Sequence, residues 1–439
     1  VANGYVLLTE QERADIVANY LPPLVPAWDG SHLAWLWSRM REQTIFFPWY
    51  RKALEDRLNF DVPQPTALQA AALDLLRAGD HYRVGYRAAF TMASDAALRD
   101  VQVPTLITAA ETDVLAKHLE RVHGKSRQVT IERGASAEAT LDLAARYLAR
   151  YKLTTAPKLR ATAPIPGRLW QEMIEVPGGQ LRAKRNDDAK GTPVVVQHDA
   201  AGSSDIVRRL AEGFVGKRPV LAVDLPGHGE SDNTLPRGKV TVGAYAKSLA
   251  TALDALEIER CDFLGQWGGG LLGLELATSA PKRIDHLILA DLLYFDAKLT
   301  ATLKAHYTPD IQPDWYGGHL LHAWMLMRDQ GLFWPWFERT RRGIIWQPVR
   351  VDPEMVHRRV IEVFKAPVMW RAAYQAHFAY PTRAKLARVT RPVLLAAPRW
   401  DPNLEHTRRA AQDFPRLPFR SLPDDPLDWG REVLEFLSA

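Results

Sequence analysis

The chain is 439 residues long, 47% apolar and 24% charged, so it can bury a large core and reads as a globular protein of two or three domains. A net charge of only +5, scattered along the sequence, gives no basic footprint for nucleic acid, and apolar runs too short to cross a bilayer speak against membrane insertion. A single cysteine, Cys261, excludes an intrachain disulfide framework and fits a cytoplasmic location.

In chain order, an aromatic-rich stretch from Tyr20 to Tyr50 comes first and carries Trp28, His32, Trp37, Arg41 and Gln43. An apolar strand follows at Pro104-Thr105-Leu106-Ile107-Thr108, with Asp113 just beyond it and a loop at Glu132-Arg133-Gly134-Ala135-Ser136. Thr154-Thr155-Ala156-Pro157, with Pro164 and Pro166, reads as a linker over 153–164. Pro177-Gly178-Gly179 between Glu172–Val176 and Gln180–Ala183 signals a hairpin. Pro193–Gln197 and Val220–Asp224 are apolar strands of the buried parallel kind, and a helix is expected over about 242–256. The strand Arg260–Leu264 runs into Gly265-Gln266-Trp267-Gly268-Gly269, followed by a helix from Leu271 to Ala277 and an apolar strand at Leu287-Ile288-Leu289. A second aromatic stretch holds Trp315, His319, Trp324, Arg328, Gln330 and Trp336, and Pro392–Ala397 is a last apolar strand before Asp401. Strands alternating with helices predict an α/β fold with a doubly wound, mostly parallel sheet.

The two aromatic stretches align without a gap at an offset of 287, pairing Tyr20 with Tyr307, His32 with His319, Trp37 with Trp324, Arg41 with Arg328, Gln43 with Gln330 and Trp49 with Trp336. At an offset of 288 the match resumes with Tyr86 and Tyr374, Phe90 and Phe378, Pro104 and Pro392, and Asp113 and Asp401. This points to a tandem duplication in which residues 1–152 correspond to the second half of a module seen whole over 165–439. Half a module would leave sheet edges and core uncovered, so the expectation is a companion polypeptide, or a preceding segment processed away, that completes 1–152.

The strand with its His198-Asp199-Ala200-Ala201-Gly202 turn, the run Asp224-Leu225-Pro226-Gly227-His228-Gly229-Glu230-Ser231-Asp232, and the glycine elbow at 265–269 occur in the order of the α/β-hydrolase superfamily, which this chain resembles over 165–439 and in part over 1–152. The resemblance implies helical caps at about 295–388 and 8–100, a nucleophile at the position of Trp267, and acids at Asp401 and Asp113. It also implies a histidine in the final loop, but neither Leu422–Leu427 nor Glu132–Ser136 contains one; His81, His118 and His123 are the other histidines of the first copy's last part. Tryptophan cannot attack a carbonyl, so the second copy reads as a degenerate hydrolase, with Trp267 as a plug in a disused pocket or as a stacking platform for ligand. Asp199 stands where a glycine would open an oxyanion site, and its charge opposes ester chemistry. His198 and Asp199 form either a structural turn or an acid and base pair.

In the cap stretch, Trp324 and Arg328 are four residues apart on one helical face, able to stack and to pair with an acid or carbonyl; the alternative is a helix whose Arg and Gln tie neighbouring helices together. No spacing suggests a metal site and no motif suggests a cofactor. The functional expectation is a hydrolase-family protein for small apolar carbonyl compounds (ester, amide or lactone), its second module a scaffold or ligand binder and any working site in a completed first module. The alternatives are a non-enzymatic interaction or sensing protein and a cofactor-free lyase, isomerase or oxygenase using His198, Asp199 and Asp401.

Overall fold

The computed structural model describes residues 1–438 except 93, 152–162, 237 and 347–350; the expected linker at 153–164 lies almost wholly outside the described residues. The chain divides into two compact units, 1–161 without 28–30, and 162–439 with them.

In the first unit, β1 (Thr105–Ala110) and β2 (Val129–Gly134) pair in parallel, with Ile107 opposite Ile131. Ala2 bridges to Thr108 on the other edge of β1, and the amide of Asn3 donates to the Thr108 carbonyl at 3.0 Å. Leu98, Ile107, Ala109, Ala116, Leu119 and Val129 form one small core. The loop expected at Glu132–Ser136 is shorter than the sequence suggested, because β2 extends to Gly134. Ser136 is then the N-cap of helix Ala137–Ala149, its hydroxyl accepting from the Ala139 amide at 3.1 Å. Helices Glu10–Asn19, Ser31–Glu42, Pro65–Ala78 and Tyr82–Thr91 precede the strands.

The second unit is built on eight strands: β3 (Trp170–Val176), β4 (Gly179–Asn186), β5 (Val194–Gln197), β6 (Val220–Val223), β7 (Cys261–Gln266), β8 (Ile284–Ala290), β9 (Val393–Pro398) and β10 (Phe419–Leu422). Their spatial order is β10-β9-β8-β7-β5-β6-β4-β3, with β4 antiparallel to both its neighbours and every other pair parallel. Strands β5, β6, β7 and β9 are buried at every residue because helices cover both faces, which is why they read as near-continuous apolar runs. Val194, Val196, Ala222, Leu264, Ile288 and Leu394 on one face pack with Trp429 and Val433 of helix Pro426–Leu434. Each fully buried side chain of that size contributes about 1.5–3 kcal/mol.

Between β8 and β9 the chain makes helices Ala297–His306, Gly318–Asp329, Pro353–Lys365, Met369–Ala379 and Thr382–Arg388. The carboxyl ends of β7, β8 and β9, where an open parallel sheet places its ligands, lie side by side.

Candidate active site at the end of β7

Strand β7 passes into helix Gly268–Ser279 through a single residue, Trp267, at φ 50° and ψ −122°. A side-chain-bearing residue at positive φ costs about 1–3 kcal/mol and persists only where its surroundings enforce it. The enforcement is steric: a Cβ on Gly265 would lie 2.4 Å from the Gly270 nitrogen, and one on Gly269 would lie 2.5 Å from the Gln197 carbonyl oxygen. The turn lifts the indole above the sheet, where it is half-buried.

Trp267 Nε1 donates to Asp401 Oδ2 at 2.8 Å, and the other Asp401 oxygen accepts the Asn403 amide at 2.7 Å. The Arg359 guanidinium, from helix Pro353–Lys365, stacks 5.2 Å from the indole. Burial pushes the Asp401 carboxyl up to about 7, although its two hydrogen bonds and the Arg359 charge hold it down. Asp291, at φ 55° just past β8, is wholly buried; desolvation, then Asp401, drives its carboxyl well above the usual range, and it accepts from Gln266 Nε2 at 3.0 Å.

On the other side of the elbow, Asp199 Oδ1 accepts the Gly268 amide at 3.1 Å and Oδ2 accepts the Tyr374 hydroxyl at 2.9 Å. His377, from helix Met369–Ala379, is buried with Nδ1 3.3 Å from Asp199 Oδ1, and its ring fills the space that a Cβ on Gly268 would enter. An imidazole thus does stand beside the elbow. The final loop does lack a histidine, but helix Met369–Ala379 brings one in from above.

His198 is not an acid or base partner of the Asp199 carboxylate. Its Nε2 accepts the Leu225 amide at 3.0 Å, which leaves Nδ1 to donate to the Asp199 backbone carbonyl at 2.6 Å, and burial pushes the imidazole towards its neutral form. His228 Nδ1 donates to the Pro226 carbonyl at 3.2 Å, and burial, then His198, holds its imidazole down to about 3. Asp224 accepts the Ser204 and Glu230 amides at 2.6 and 3.0 Å, as a loop-fastening residue does.

The family model described as the alpha/beta hydrolase fold matches residues 192–318, the segment that contains β5 to β8 and this elbow. This segment has the α/β-hydrolase fold. Over 130 residues the chain is 32% identical to the dihydrolipoyllysine-residue acetyltransferase component of the acetoin cleaving system of Pseudomonas putida, covering 30% of this chain and 33% of that protein. Over 106 residues it is 34% identical to the esterase YbfF of Escherichia coli strain K12, covering 24% of this chain and 40% of that one. The match thus spans two fifths or less of these curated relatives. A solved hydrolase of Pseudomonas aeruginosa PA01 is similar at 22% identity and a TM-score of 0.47, over 62% of this chain and 99% of that one.

In an α/β-hydrolase the amide that follows the nucleophile is an oxyanion donor. Here the amide that follows the elbow residue, on Gly268, is bonded to a carboxylate of the same chain, and Asp401 is bonded to the indole at the elbow. Both polar groups are satisfied within the chain.

The other residues singled out by sequence lie in structural contacts. His319 Nδ1 accepts the Asp314 amide at 3.2 Å, and Trp336 Nε1 donates to the Tyr307 carbonyl at 2.9 Å. Trp324 is wholly buried and Arg328 does not stack on it; Arg328 lies 3.8 Å from Asp329, and Gln330 caps the end of helix Gly318–Asp329. Arg328 stands instead over the ring of Trp28, at 5.4 Å. In the first unit, His32 Nδ1 accepts the Ala27 amide at 3.1 Å, Trp37 is buried, the Arg41 carbonyl accepts from Thr44, and Gln43 Oε1 accepts from Arg39 at 3.1 Å. Asp113 accepts the Leu115 amide at 2.7 Å and borders a cavity of about 380 Å³ with Gln43, Leu58 and Phe60. His118 is buried and accepts the Leu7 amide, while His81 and His123 are exposed. Among the described residues no group of His, Cys, Asp and Glu could hold a metal ion, and no helix is long and apolar enough to cross a membrane.

Proposed function

We propose that the second unit is a nucleophile-free α/β-hydrolase domain that serves as a scaffold or binds a small carbonyl-bearing ligand without cleaving it. The single observation that carries this reading is the Trp267 to Asp401 hydrogen bond: one indole spans the interval that a serine and an imidazole would occupy. The Asp199 carboxylate on the Gly268 amide supports it, since an anion already sits where negative charge would have to develop.

For the first unit, the proposal is that it is the corresponding half of a duplicated module, completed by a companion polypeptide or further segment that supplies the elbow-bearing strands and any hydrolytic nucleophile. Four pairs of contacts support duplication. The Ala2 to Thr108 bridge and the Ala290 to Ala396 pair differ by 288, as do the Ile107 to Ile131 and Leu395 to Phe419 pairs. The bridges Phe46 to Arg57 and Phe333 to Ile344 differ by 287, as do the indole bonds from Trp49 to the Tyr20 carbonyl and from Trp336 to the Tyr307 carbonyl. Printed relatives include an esterase, which makes a small ester the first substrate class to test.

The test is reaction of the purified protein with a serine-directed phosphonate, mapped by peptide mass. The expected result is no adduct within 163–438, with any adduct on a companion polypeptide; a label in the second unit would sink the reading. Trp267→Ser is expected to show no measurable esterase turnover, because Asp199 still holds the Gly268 amide.

A further inference from the structure

We infer that Arg359, stacked on the fixed indole of Trp267, forms the recognition point for a small organic carboxylate in the second unit, a ligand class that deepens the non-hydrolytic reading above and rests on it. The first step is an accounting of donors and acceptors. A guanidinium has five N–H donors in one plane and no acceptor, and stacking on an aromatic face leaves its edge free for in-plane bonds. Among the described residues Arg359 makes no hydrogen bond and no ion pair; its one contact of that kind is the indole face.

The neighbouring acids do not claim it. Both Asp401 oxygens are taken, by Trp267 Nε1 and the Asn403 amide, and both Asp199 oxygens are taken, by the Gly268 amide and the Tyr374 hydroxyl. A cation present only to neutralise Asp401 would be bonded to it. Instead Arg359 is held half-buried beside Trp267, close enough for its charge to act on Asp401, Tyr307 and Tyr374. The surrounding wall is aromatic: Tyr307 and Tyr374 lie 5.1 Å apart, and Tyr374 stacks on Phe378 at 5.7 Å.

A guanidinium with free donors beside an aromatic wall fits a carboxylate with an apolar body, held through two parallel N–H···O bonds. Phosphate, carrying up to two negative charges and no apolar part, would meet Asp199 and Asp401 with greater repulsion and gain nothing from the rings. The acid left by hydrolysis of an ester, amide or lactone has the chemistry that this arrangement accepts.

The experiment is calorimetric titration of the full chain with benzoate, with benzamide and inorganic phosphate as comparison ligands. Benzoate is expected to bind saturably, Arg359→Gln to weaken it about tenfold or more, and Arg359→Lys to fall between, since Lys keeps the charge but loses the fork. Benzamide and phosphate are expected to bind at least about tenfold more weakly than benzoate. Absence of saturable benzoate binding, equal binding by Arg359→Gln, or a preference for phosphate or benzamide would each overturn the inference. Thermal melts check that each variant is folded; should Arg359→Gln unfold, Arg359→Lys gives the readout. Failure here leaves the nucleophile-free reading standing, whereas a phosphonate adduct in 163–438 would remove that reading whatever benzoate does.

Discussion

Asp113 and Asp401 are aligned at an offset of 288, yet the two units treat them in opposite ways. Asp113 is half-buried on the wall of a cavity, while Asp401 is 2% exposed and closed over by an indole. The sheet under each differs as much. Asp401 follows the second strand of an eight-stranded sheet, with β8 and β7 beyond it, whereas Asp113 follows β1, which has only β2 and the short Ala2 bridge as neighbours. The cap cores diverge too. Leu326 is buried, and Arg39, aligned with it at an offset of 287, is equally buried but carries a charge, held beside the rings of Tyr20, Trp49 and Tyr82 at 5.7, 5.4 and 5.5 Å. Two aspartates aligned in sequence therefore stand in different surroundings, one on an open wall and one in a sealed contact, and what seals the second is the residue at the elbow.

The comparison can be broken most forcefully at the cap. Leu326→Arg places the first unit's residue at a position that is 1% exposed and filled by an apolar side chain, and an unpaired buried charge is expected to destabilise the second unit by about 3–5 kcal/mol, read as a fall in the urea midpoint. Next in size is a pH effect. The folded Asp401 carboxyl sits near 7 against an ordinary 3.8, so the folded state holds its proton more tightly than the unfolded chain. This group therefore lowers stability as pH rises from about 4 to about 7 and adds nothing further above that. Asp401→Asn is expected to gain on the wild type by a few kcal/mol between pH 4 and 8 in denaturant melts. A constant gap across that range would show that Asp401 does not titrate in this way. The smallest effect is Arg39→Leu: losing three cation–π contacts is offset by removing a buried charge, and the first unit's stability should move by no more than about 1 kcal/mol.

The fold was legible wherever the cause was local. The glycines at 265 and 269 are dictated by backbone atoms a few residues away or on the adjoining strand, so the elbow could be read even with the wrong residue at its apex. Buried parallel strands announced themselves as apolar runs, with ends within two residues of those expected for β5, β6 and β9. Asp401, expected just after the last apolar strand, does lie just beyond β9. What the sequence could not display were His377 and Arg359. Each sits on an amphipathic cap helix, 110 and 92 residues from Trp267, where a lone His or Arg looks like any other polar position. Only the docking of those helices over the elbow gives them a role. The cap pair expected from spacing, Trp324 and Arg328, failed for a related reason: sharing a helical face does not decide whether that face points at a pocket or into the packing.

Strands β7 and β9 are not neighbours in the sheet, because β8 runs between them. The bond from the indole at the end of one to the carboxylate beyond the other passes over β8, while Gln266 grips Asp291 and the Asp291 amide reaches the Ala396 carbonyl at 2.9 Å. The three strand tips are laced together like the rim of a basket. Side chains and backbone thus join the ends of three strands at the edge where an open parallel sheet places its ligands, which stiffens that edge against opening.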